Sequence, residues 1–408
     1  MNVISLGLRN LRRNFRRSLT TALSIAFGFA AVALFCGYTK MVYLGLTEQA
    51  VHGELIGHLT LAKRGMKQEG RLHPERYLLR PEEIAKLSAI VREHYPEAHI
   101  APRLALSGLV SNGRVSTIFL ADGIGADDMK TLRGPRRNEA GGLAADAPQG
   151  IAMARGLAEL LGLKNGDDAS LLVSTLHGQA NAGDASILAT FTTGNAGMED
   201  KALHVPLAMA QSLYDATDRA DRLTVLLPDI AQTEIARDQL AAAFAAAGLD
   251  VEISTWQELS AFYRQVKGMF DMIFSFILSI VLTIVVMSVT NAMSMSVIER
   301  TREIGTLRAI GLRRAGVVKR FVVEALLLVG IGCLAGLGLA LLVRAGVNAG
   351  DITYTPPNGT GKVQLLVGFD ARKMALTFVL LSALALVAAF LPARRAARQP
   401  VIESLAHV

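Results

Sequence analysis

Four long apolar stretches constrain this chain more than any other feature of its sequence. Residues 18–39 carry no charge over 22 positions, residues 272–298 none over 27, and residues 374–393 none over 20. In a fourth stretch, 321–343, Glu324 is the one charged residue. A helix needs roughly 20 predominantly apolar residues to cross the hydrocarbon core of a bilayer. We therefore predict transmembrane helices at 18–40, 269–298, 321–343 and 374–393.

Lys and Arg residues are distributed unevenly around these stretches. Five arginines fall within residues 1–17, seven Lys or Arg within 299–320 and three within 394–408, against four in the loop 344–373. Basic loops between transmembrane helices are retained in the cytoplasm. We therefore predict a multi-pass protein with cytoplasmic N- and C-termini and with residues 46–268 on the far side. A cleaved signal peptide is disfavoured because its apolar core is typically 7–15 residues long.

The first 17 residues have the pattern of a helix that lies in the membrane interface. Ile4, Leu8, Leu11 and Phe15 recur at helical spacing, and arginines occupy the remaining side. An apolar face opposite a basic face is typical of interfacial helices. We predict a cytoplasmic interfacial helix at 1–17, with a simple basic flank as the alternative.

The large segment 46–268 differs in charge from the rest of the chain. It holds 22 Lys and Arg against 28 Asp and Glu, whereas the remaining residues hold 20 against 7. The basic excess therefore belongs to the membrane edges, where anionic headgroups attract it, and we predict no binding of nucleic acid. The two cysteines, Cys36 and Cys333, lie in apolar stretches, so no disulfide is expected in this segment.

Within 46–268 the patterns alternate between strand and helix. Two alternating strands flank Asn112-Gly113, a strong hairpin signal, and a helix is predicted at 150–161. We predict two lobes, one formed by 46–121 with 222–255 and one by the inserted residues 122–221. Thr255 and Glu258 have capping-box spacing, and no Pro follows until after the second apolar stretch. This indicates a stalk helix that runs unbroken from 256 to 298.

Two features follow the second crossing. Gly332 and Gly336 make a small-xxx-small pair that permits close helix contact, either with a second protomer or within the chain. The extracytoplasmic loop 344–373 is predicted to contain two short extended arms around a Pro/Gly turn at 352–363, and 394–408 is predicted to be a cytoplasmic tail.

Catalytic motifs are missing from the sequence. Gly361-Lys362 is followed by Val363, whereas a nucleotide-binding loop requires Ser or Thr at that position. There is no His-Glu-x-x-His and no Gly-x-Ser-x-Gly motif. We therefore predict that the chain is not an enzyme, with no catalytic residue and no cofactor or metal of its own. A membrane-anchored extracytoplasmic enzyme is the weaker alternative.

The charged segment 299–320 between the second and third crossings has helical spacing of its own, with Ile304, Leu307 and Ile310 or Gly311 on one side. Its residues 302–311, REIGTLRAIG, resemble the coupling segment of the FtsX-like permease family, which includes the MacB and LolC/LolE permeases. The stretch 151–173 likewise resembles the periplasmic domain of these permeases. The resemblance implies ATPase-coupling residues at the following positions: Glu303, Ile304, Gly305, Leu307 and Arg308.

The resemblance extends over the whole chain and implies its fold and partners. The implied fold is an α+β membrane protein with four transmembrane helices and a large extracytoplasmic α+β domain inserted between helices 1 and 2. The implied location is the bacterial inner (cytoplasmic) membrane, with the large domain in the periplasm. The implied partners are a cytosolic ABC ATPase that binds ATP and Mg, a second permease in a homodimer or heterodimer, a periplasmic adaptor or carrier, and membrane lipids.

Two functions are compatible with this resemblance. In the first, the chain is a permease subunit that transmits force from the ATPase to the extracytoplasmic domain, to extract or export a lipid, lipoprotein or other hydrophobic substrate. In the alternative, it is an FtsX-like signalling subunit that regulates an extracytoplasmic protein and handles no cargo. The sequence leaves this choice open.

Overall fold

The computed structural model describes residues 3–70, 72–134, 142–355 and 362–400. The chain forms two compact units. The helical unit comprises the described parts of 1–44, 266–353 and 364–408, and the head unit comprises the described parts of 45–265 and 354–363.

The helices, in chain order, are α1 Val3–Arg13, α2 Phe15–Glu48, α3 Met66–Glu69, α4 Pro74–Tyr77, α5 Pro81–His94, α6 Ala126–Arg133, α7 Arg155–Leu161, α8 Leu207–Tyr214, α9 Thr233–Ala246, α10 Trp256–Leu259, α11 Ala261–Glu299, α12 Thr301–Ala309, α13 Arg314–Ala349 and α14 Ala371–Arg398. The strands are β1 Leu59–Lys63, β2 His99–Ser111, β3 Ser116–Ile124, β4 Gly150–Ala154, β5 Asp168–Ser174, β6 Ala180–Phe191, β7 Ala202–Pro206, β8 Arg222–Leu226, β9 Val251–Thr255, β10 Thr353–Tyr354 and β11 Val363–Gln364. A π-helical turn, Gln49–Gly53, follows α2 directly.

Four of these helices are long and apolar enough to cross a membrane. They are α11, α13, α14, and α2 together with its π-helical turn. Each predicted transmembrane stretch lies inside one of them, and each helix is longer than the stretch predicted. Flanking residues with good helix propensity extend the helices outside the apolar part, such as Arg314, Lys319 and Arg320 at the start of α13.

Close contact between α2 and α13 organises the helical unit. A Cβ atom at Gly336 would lie 2.5 Å from the carbonyl oxygen of Ala26, and one at Gly332 would lie 2.8 Å from Ile25 Cβ. The two glycines therefore let the two helix backbones approach within the chain. The sequence left open whether these glycines contact a second protomer or another helix of the same chain. In the structure they contact α2 of the same chain.

Helix α1 packs against α13, where a Cβ atom at Gly7 would lie 2.7 Å from Leu327 Cδ1. Leu11 from the predicted apolar face is buried. Phe15 belongs to the next helix and is 61% exposed, because the chain turns at Asn14 before α2 begins. The side chains of Ile4 and Leu8 lie outside the described residues.

A nine-stranded sheet forms the head unit, in the order β3-β7-β4-β6-β5-β2-β8-β1-β9, with a further pairing between β3 and β2. Because β2 pairs with both β3 and β5, six strands close into a barrel (β2, β3, β7, β4, β6, β5). Closure removes the free edges of these strands. The other strands, β8, β1 and β9, extend the sheet and share a separate hydrophobic core with α5 and α9.

The boundary between these two parts lies inside β2. His99–Arg103 pairs with β8, whereas Leu104–Ser111 pairs with β3. The predicted lobe of 46–121 with 222–255 therefore differs from the structure, because residues 104–121 belong to the barrel. A long strand shared by two cores carries no sequence signal at the point where its partners change.

Two local differences have physical reasons. Gly150–Ala154, predicted as the start of a helix, is strand β4; all five residues are buried and pair in parallel with β6, so tertiary pairing overrides helical spacing. The predicted stalk helix is interrupted at Ser260, whose φ of −74° and ψ of 98° are extended, so α10 and α11 are separate helices. The capping box at Thr255 is present, and it caps α10 alone.

The loop between α13 and α14 contains two short extended arms, β10 and β11, which pair with each other. The Leu365 amide donates to the Ile352 carbonyl over 2.7 Å just outside this pair. The Pro/Gly turn predicted between the arms lies at 356–361, outside the described residues, as do residues 401–408 of the predicted tail.

Candidate coupling site

The charged motif between the second and third long helices folds as the short helix α12. The helix begins after Arg300, whose φ of −115° and ψ of 15° lie outside the helical region. It ends before Gly311, whose φ of +107° is a conformation that favours glycine. The predicted segment 299–320 is therefore composed of α12, a turn at 310–313 and the first residues of α13.

The inner face of α12 packs into the helical unit. Thr301, Ile304 and Gly305 are buried, and Ile304 belongs to the hydrophobic core that also contains Val317 and Phe321 of α13. The Thr301 hydroxyl donates to the Val297 carbonyl over 3.0 Å. This packing fixes the short helix to α13, which compensates for the marginal stability of a nine-residue helix on its own.

The outer face of α12 presents polar side chains, followed by an isolated apolar one. Arg302, Glu303 and Thr306 are exposed, and Ile310, just beyond the helix, is 80% exposed. The sequence placed Ile310 on the same side as Ile304. Ile310 keeps helical backbone angles, but it follows Ile304 by six residues, about 240° around a helix, so its side chain faces another side and lies at the surface.

The five predicted coupling residues lie together on α12 but face different ways. Glu303 is exposed, Leu307 and Arg308 are half-buried, and Ile304 and Gly305 are buried. The Arg308 guanidinium donates to the Gln399 carbonyl beyond the end of α14. Of the five, Glu303 is therefore the residue most accessible to a partner, while Ile304 and Gly305 hold the helix in place.

A cleft lies between α1, α12 and α13 at this site. Its walls combine apolar side chains with two arginines and two glutamates. They are formed by Leu6, Gly7, Asn10, Arg300, Glu303, Ile304, Leu307, Leu312, Val317, Arg320, Phe321 and Glu324. In this cleft, residues of α12 face residues of both α1 and α13.

A buried ion pair connects the elements around the cleft. Arg300 Nη1 lies 3.1 Å from Glu324 Oε2, with the two side chains 11% and 6% exposed. Asn10 of α1 also donates to Glu324, over 3.5 Å. Removing one partner from a buried pair leaves an uncompensated charge, so this pair fixes α12 relative to α1 and α13. The sequence signalled only Glu324, as an acid in an apolar stretch, and did not indicate its partner Arg300.

A second ion pair involves Glu299, the residue before Arg300. The Arg17 guanidinium lies 2.8 Å from Glu299 Oε1, and the Asn14 amide donates to the other oxygen of the same carboxylate over 3.0 Å. These partners connect the start of α2 to the last residue of α11. The two pairs therefore lie just before α12 in the chain, at Glu299 and Arg300.

Across the described ranges no group of three or more His, Cys, Asp and Glu residues is placed to hold a metal ion. The site presents the exposed carboxylate of Glu303 and the arginines of α12, with the exposed side chain of Ile310 just beyond the helix.

Two family models match the chain. The MacB-like periplasmic core domain matches residues 18–243, more than half of the chain, and the FtsX-like permease C-terminal model matches residues 275–401. The chain belongs to the FtsX/MacB-type permease family. The fold predicted from the resemblance, an α+β membrane protein with four transmembrane helices and a large domain between the first and second, is confirmed.

Curated relatives of this FtsX/MacB-type permease match part of its length. The macrolide export ATP-binding/permease protein MacB of Bordetella avium is 40% identical over 120 residues, which is 29% of this chain and 16% of that protein. The pyoverdine export ATP-binding/permease protein PvdT of Pseudomonas putida is 35% identical over 117 residues, again 29% and 16%. The matched stretch thus spans about a sixth of these relatives, whose names combine ATP binding and a permease in one protein.

Solved structures of similar domains include the periplasmic region of MacB from Actinobacillus actinomycetemcomitans. It is 13% identical, with a TM-score of 0.35, and the match covers 52% of this permease and 95% of that chain. The extracellular domain of the ABC-type transporter YknZ from Gram-positive bacteria is 12% identical, with a TM-score of 0.33, covering 49% and 100%. The family assignment rests on the two family models.

Proposed function

We propose that this permease is the membrane subunit of an ABC transporter and that α12 docks on a separate cytosolic ATPase, which holds ATP and Mg. The observation that carries the proposal is the geometry of α12. Its inner face is fixed by Ile304 and Gly305, and its outer side exposes Glu303 and, beyond the helix, Ile310. A fixed helix with an exposed charge beside an exposed apolar side chain is suited to docking in a groove of a partner.

In this proposal the ATPase moves α12, and the movement passes through the helices attached to it. Helix α11 has 39 residues and ends at Glu299, next to Arg300. At 1.5 Å per residue it is about 58 Å long. We propose that this continuous helix transmits force from α12, on the cytoplasmic side of the inner membrane, to the head unit on the periplasmic side. Two permease copies, identical or related, would pair around two ATPases.

We further propose a hydrophobic cargo, such as a lipid or lipoprotein. An apolar row on the outer face of the barrel supports this choice. Leu109 of β2 is directly opposite Ile118 of β3 and Leu172 of β5, and the three side chains are between 43% and 63% exposed. Contiguous exposed apolar side chains often mark interaction sites. A photoactivatable diacylated peptide should crosslink to this row, and an unacylated peptide should not; equal labelling by both would contradict the proposal.

The alternative, an FtsX-like subunit that signals to a periplasmic protein, is favoured by the interior of the barrel. Side chains such as Phe119, Ile151 and Leu171 fill it and are fully buried. Since these side chains pack the interior, we place contact with a partner on the outer surface of the head unit. A protein partner would bind the apolar row without acylation. Equal labelling by the diacylated and the unacylated peptide would therefore favour this alternative over a lipid or lipoprotein cargo.

The docking proposal is tested by co-purification with the ABC ATPase co-expressed from the same genome. The double variant Glu303→Lys with Ile310→Asp should reduce the recovered ATPase at least about tenfold, because it reverses a charge and places a carboxylate in an apolar contact. The matched control is Glu234→Lys with Ile235→Asp on α9 of the head unit, where Ile235 is 58% exposed. Recovery of equal ATPase from the two double variants would refute the docking site.

A further inference from the structure

A network of buried charges lies in the head unit where β2 changes partners. Arg103, the last residue of β2 that pairs with β8, is 1% exposed. Around it lie Asp122 of β3, Arg222 of β8, and Asp221, which comes just before β8. Buried charges require partners to offset their desolvation, and the ionic partner of Arg103 is the Asp122 carboxylate, whereas Asp221 pairs with Arg222.

The network connects the barrel to the strands beside it. Arg103 Nε donates to Asp122 Oδ1 over 3.1 Å, and Arg222 Nη2 donates to Asp122 Oδ2 over 2.7 Å. Asp221 accepts from the Ala105 amide over 2.9 Å and from Arg222 over 2.8 Å. Burial acts to raise the pKa of Asp122, but the two guanidinium groups outweigh it and lower that pKa to about 2. Asp122 is therefore charged at neutral pH and holds both arginines.

Arg103 also holds a segment outside these strands. Its Nη1 donates to the carbonyl of Leu55 over 2.7 Å. Leu55 is buried and has a φ of +56°, a left-handed conformation that is unfavourable for a residue with a Cβ atom. Such a conformation persists where surrounding contacts determine it, and the hydrogen bond from Arg103 is one of these contacts.

Leu55 lies in the segment between α2 and β1, residues 49–57, that we call the strap. The strap contacts the barrel side, where the Gln49 amide donates to the Thr193 carbonyl over 2.6 Å. It contacts the other side at Gly57, where a Cβ atom would lie 2.6 Å from Thr224 Cγ2 of β8. The strap therefore crosses the boundary between the two parts of the head unit, and Arg103 lies beneath that crossing.

We propose that Arg103 is a positioning residue that locks the strap to the junction of the barrel with strands β8, β1 and β9. With the lock in place, the strap and both parts of the head unit behave as one rigid body. Without it, the strap detaches locally while the two cores stay folded. The inference concerns the head unit alone and stands whether or not α12 binds an ATPase.

Hydrogen–deuterium exchange on the full-length protein tests the lock. Arg103→Lys keeps a positive charge near Asp122 but removes the guanidinium group, whose nitrogens donate to both Asp122 and the Leu55 carbonyl. Exchange of the amides of residues 49–57 should rise roughly 10- to 100-fold, as expected for the loss of a hydrogen bond to a charged group. Exchange in β4 and β6, inside the barrel, should not change.

The matched control is Asp221→Asn, which alters the same network without touching the strap. The Asn side chain can still accept from the Ala105 amide, so exchange in 49–57 should stay as in the unmodified protein. Unchanged strap exchange in Arg103→Lys would overturn the proposal. So would an equal rise across the whole head unit, or an equal rise in the strap of Asp221→Asn, since each would mean that the network contributes only general stability.

Discussion

The contact between α2 and α13 gives a sharp prediction, because two glycines on one helix differ in what surrounds them. A Cβ atom at Gly336 would lie 2.5 Å from the carbonyl oxygen of Ala26 and 3.1 Å from its Cα, whereas one at Gly338 would meet nothing within 4 Å. The nearest obstacle at Gly336 is backbone, which cannot rotate away. Gly336→Ala therefore forces the two helices apart, and Gly338→Ala does not.

The expected size of the effect follows from a comparison of these two variants. Both make the same substitution in the interior of α13, so any gain from replacing glycine in a helix is shared. Overpacking a close contact typically costs about 1–3 kcal/mol. The helical unit of Gly336→Ala should therefore be about 1–3 kcal/mol less stable than that of Gly338→Ala, which corresponds to a midpoint roughly 2–12 °C lower.

The chain carries its own reporter for this measurement. Cys36 and Cys333 are its two cysteines, both are free thiols, and they are 1% and 3% exposed within the helical unit. A thiol-reactive fluorescent dye will label them as the unit unfolds during heating in detergent. Equal midpoints for the two alanine variants would refute the assignment of this contact to packing within the protomer.

Two further predictions concern buried polar groups. His58 is 5% exposed and accepts from the Leu227 amide; burial lowers its pKa from 6.5 to about 4, so stability present above pH 6.5 is lost as the pH falls towards 4. His58→Asn keeps a hydrogen-bond acceptor but does not titrate, so at pH 5 it should remove about 2 kcal/mol of that loss in stability. The free energy of unfolding can be followed by the fluorescence of the single tryptophan, Trp256. An unaltered pH dependence in the variant would contradict this. Glu324→Ala should destabilise the helical unit by roughly 3–5 kcal/mol, because it leaves the buried charge of Arg300 without a partner. The double variant Glu324→Leu with Arg300→Met should recover much of this stability, as measured by thiol labelling during heating. No recovery would count against the ion pair.

The sequence was sufficient for the features that depend on composition over many residues. Apolar stretches of about 20 or more residues have few alternatives to a transmembrane helix, and all four lie inside helices long enough to cross a membrane. Asn112-Gly113 correctly indicated the hairpin of β2 and β3, since Gly113 has a φ of +84°. These signals are local, and no tertiary contact competes with them.

Features that depend on distant partners were not predictable in the same way. Gly150–Ala154 has a helical pattern in isolation, but its parallel pairing with β6 makes it a strand. The predicted lobe of 46–121 with 222–255 missed the boundary inside β2, because that boundary depends on which strands pair with each half of β2. The break at Ser260 likewise has no Gly or Pro to signal it.

The coupling site shows the same limit. The motif identified the residues that form α12, but its spacing could not say which of them face outward. That depends on which side of α12 packs against α13, and this packing buries Ile304 while Ile310 stays at the surface. The ion pair of Arg300 with Glu324 joins residues 24 positions apart, and nothing in the local sequence links them.

The central claim, that α12 and the turn after it dock on an ATPase, is tested most directly by photocrosslinking at position 310. A photoreactive amino acid replacing Ile310, which is 80% exposed, should crosslink in cells to a protein whose peptides include the nucleotide-binding motif Gly-x-x-x-x-Gly-Lys-Ser/Thr. The same amino acid at Ile235 of the head unit should give no such product. Absence of that product at position 310, or its presence at both positions, would contradict the account.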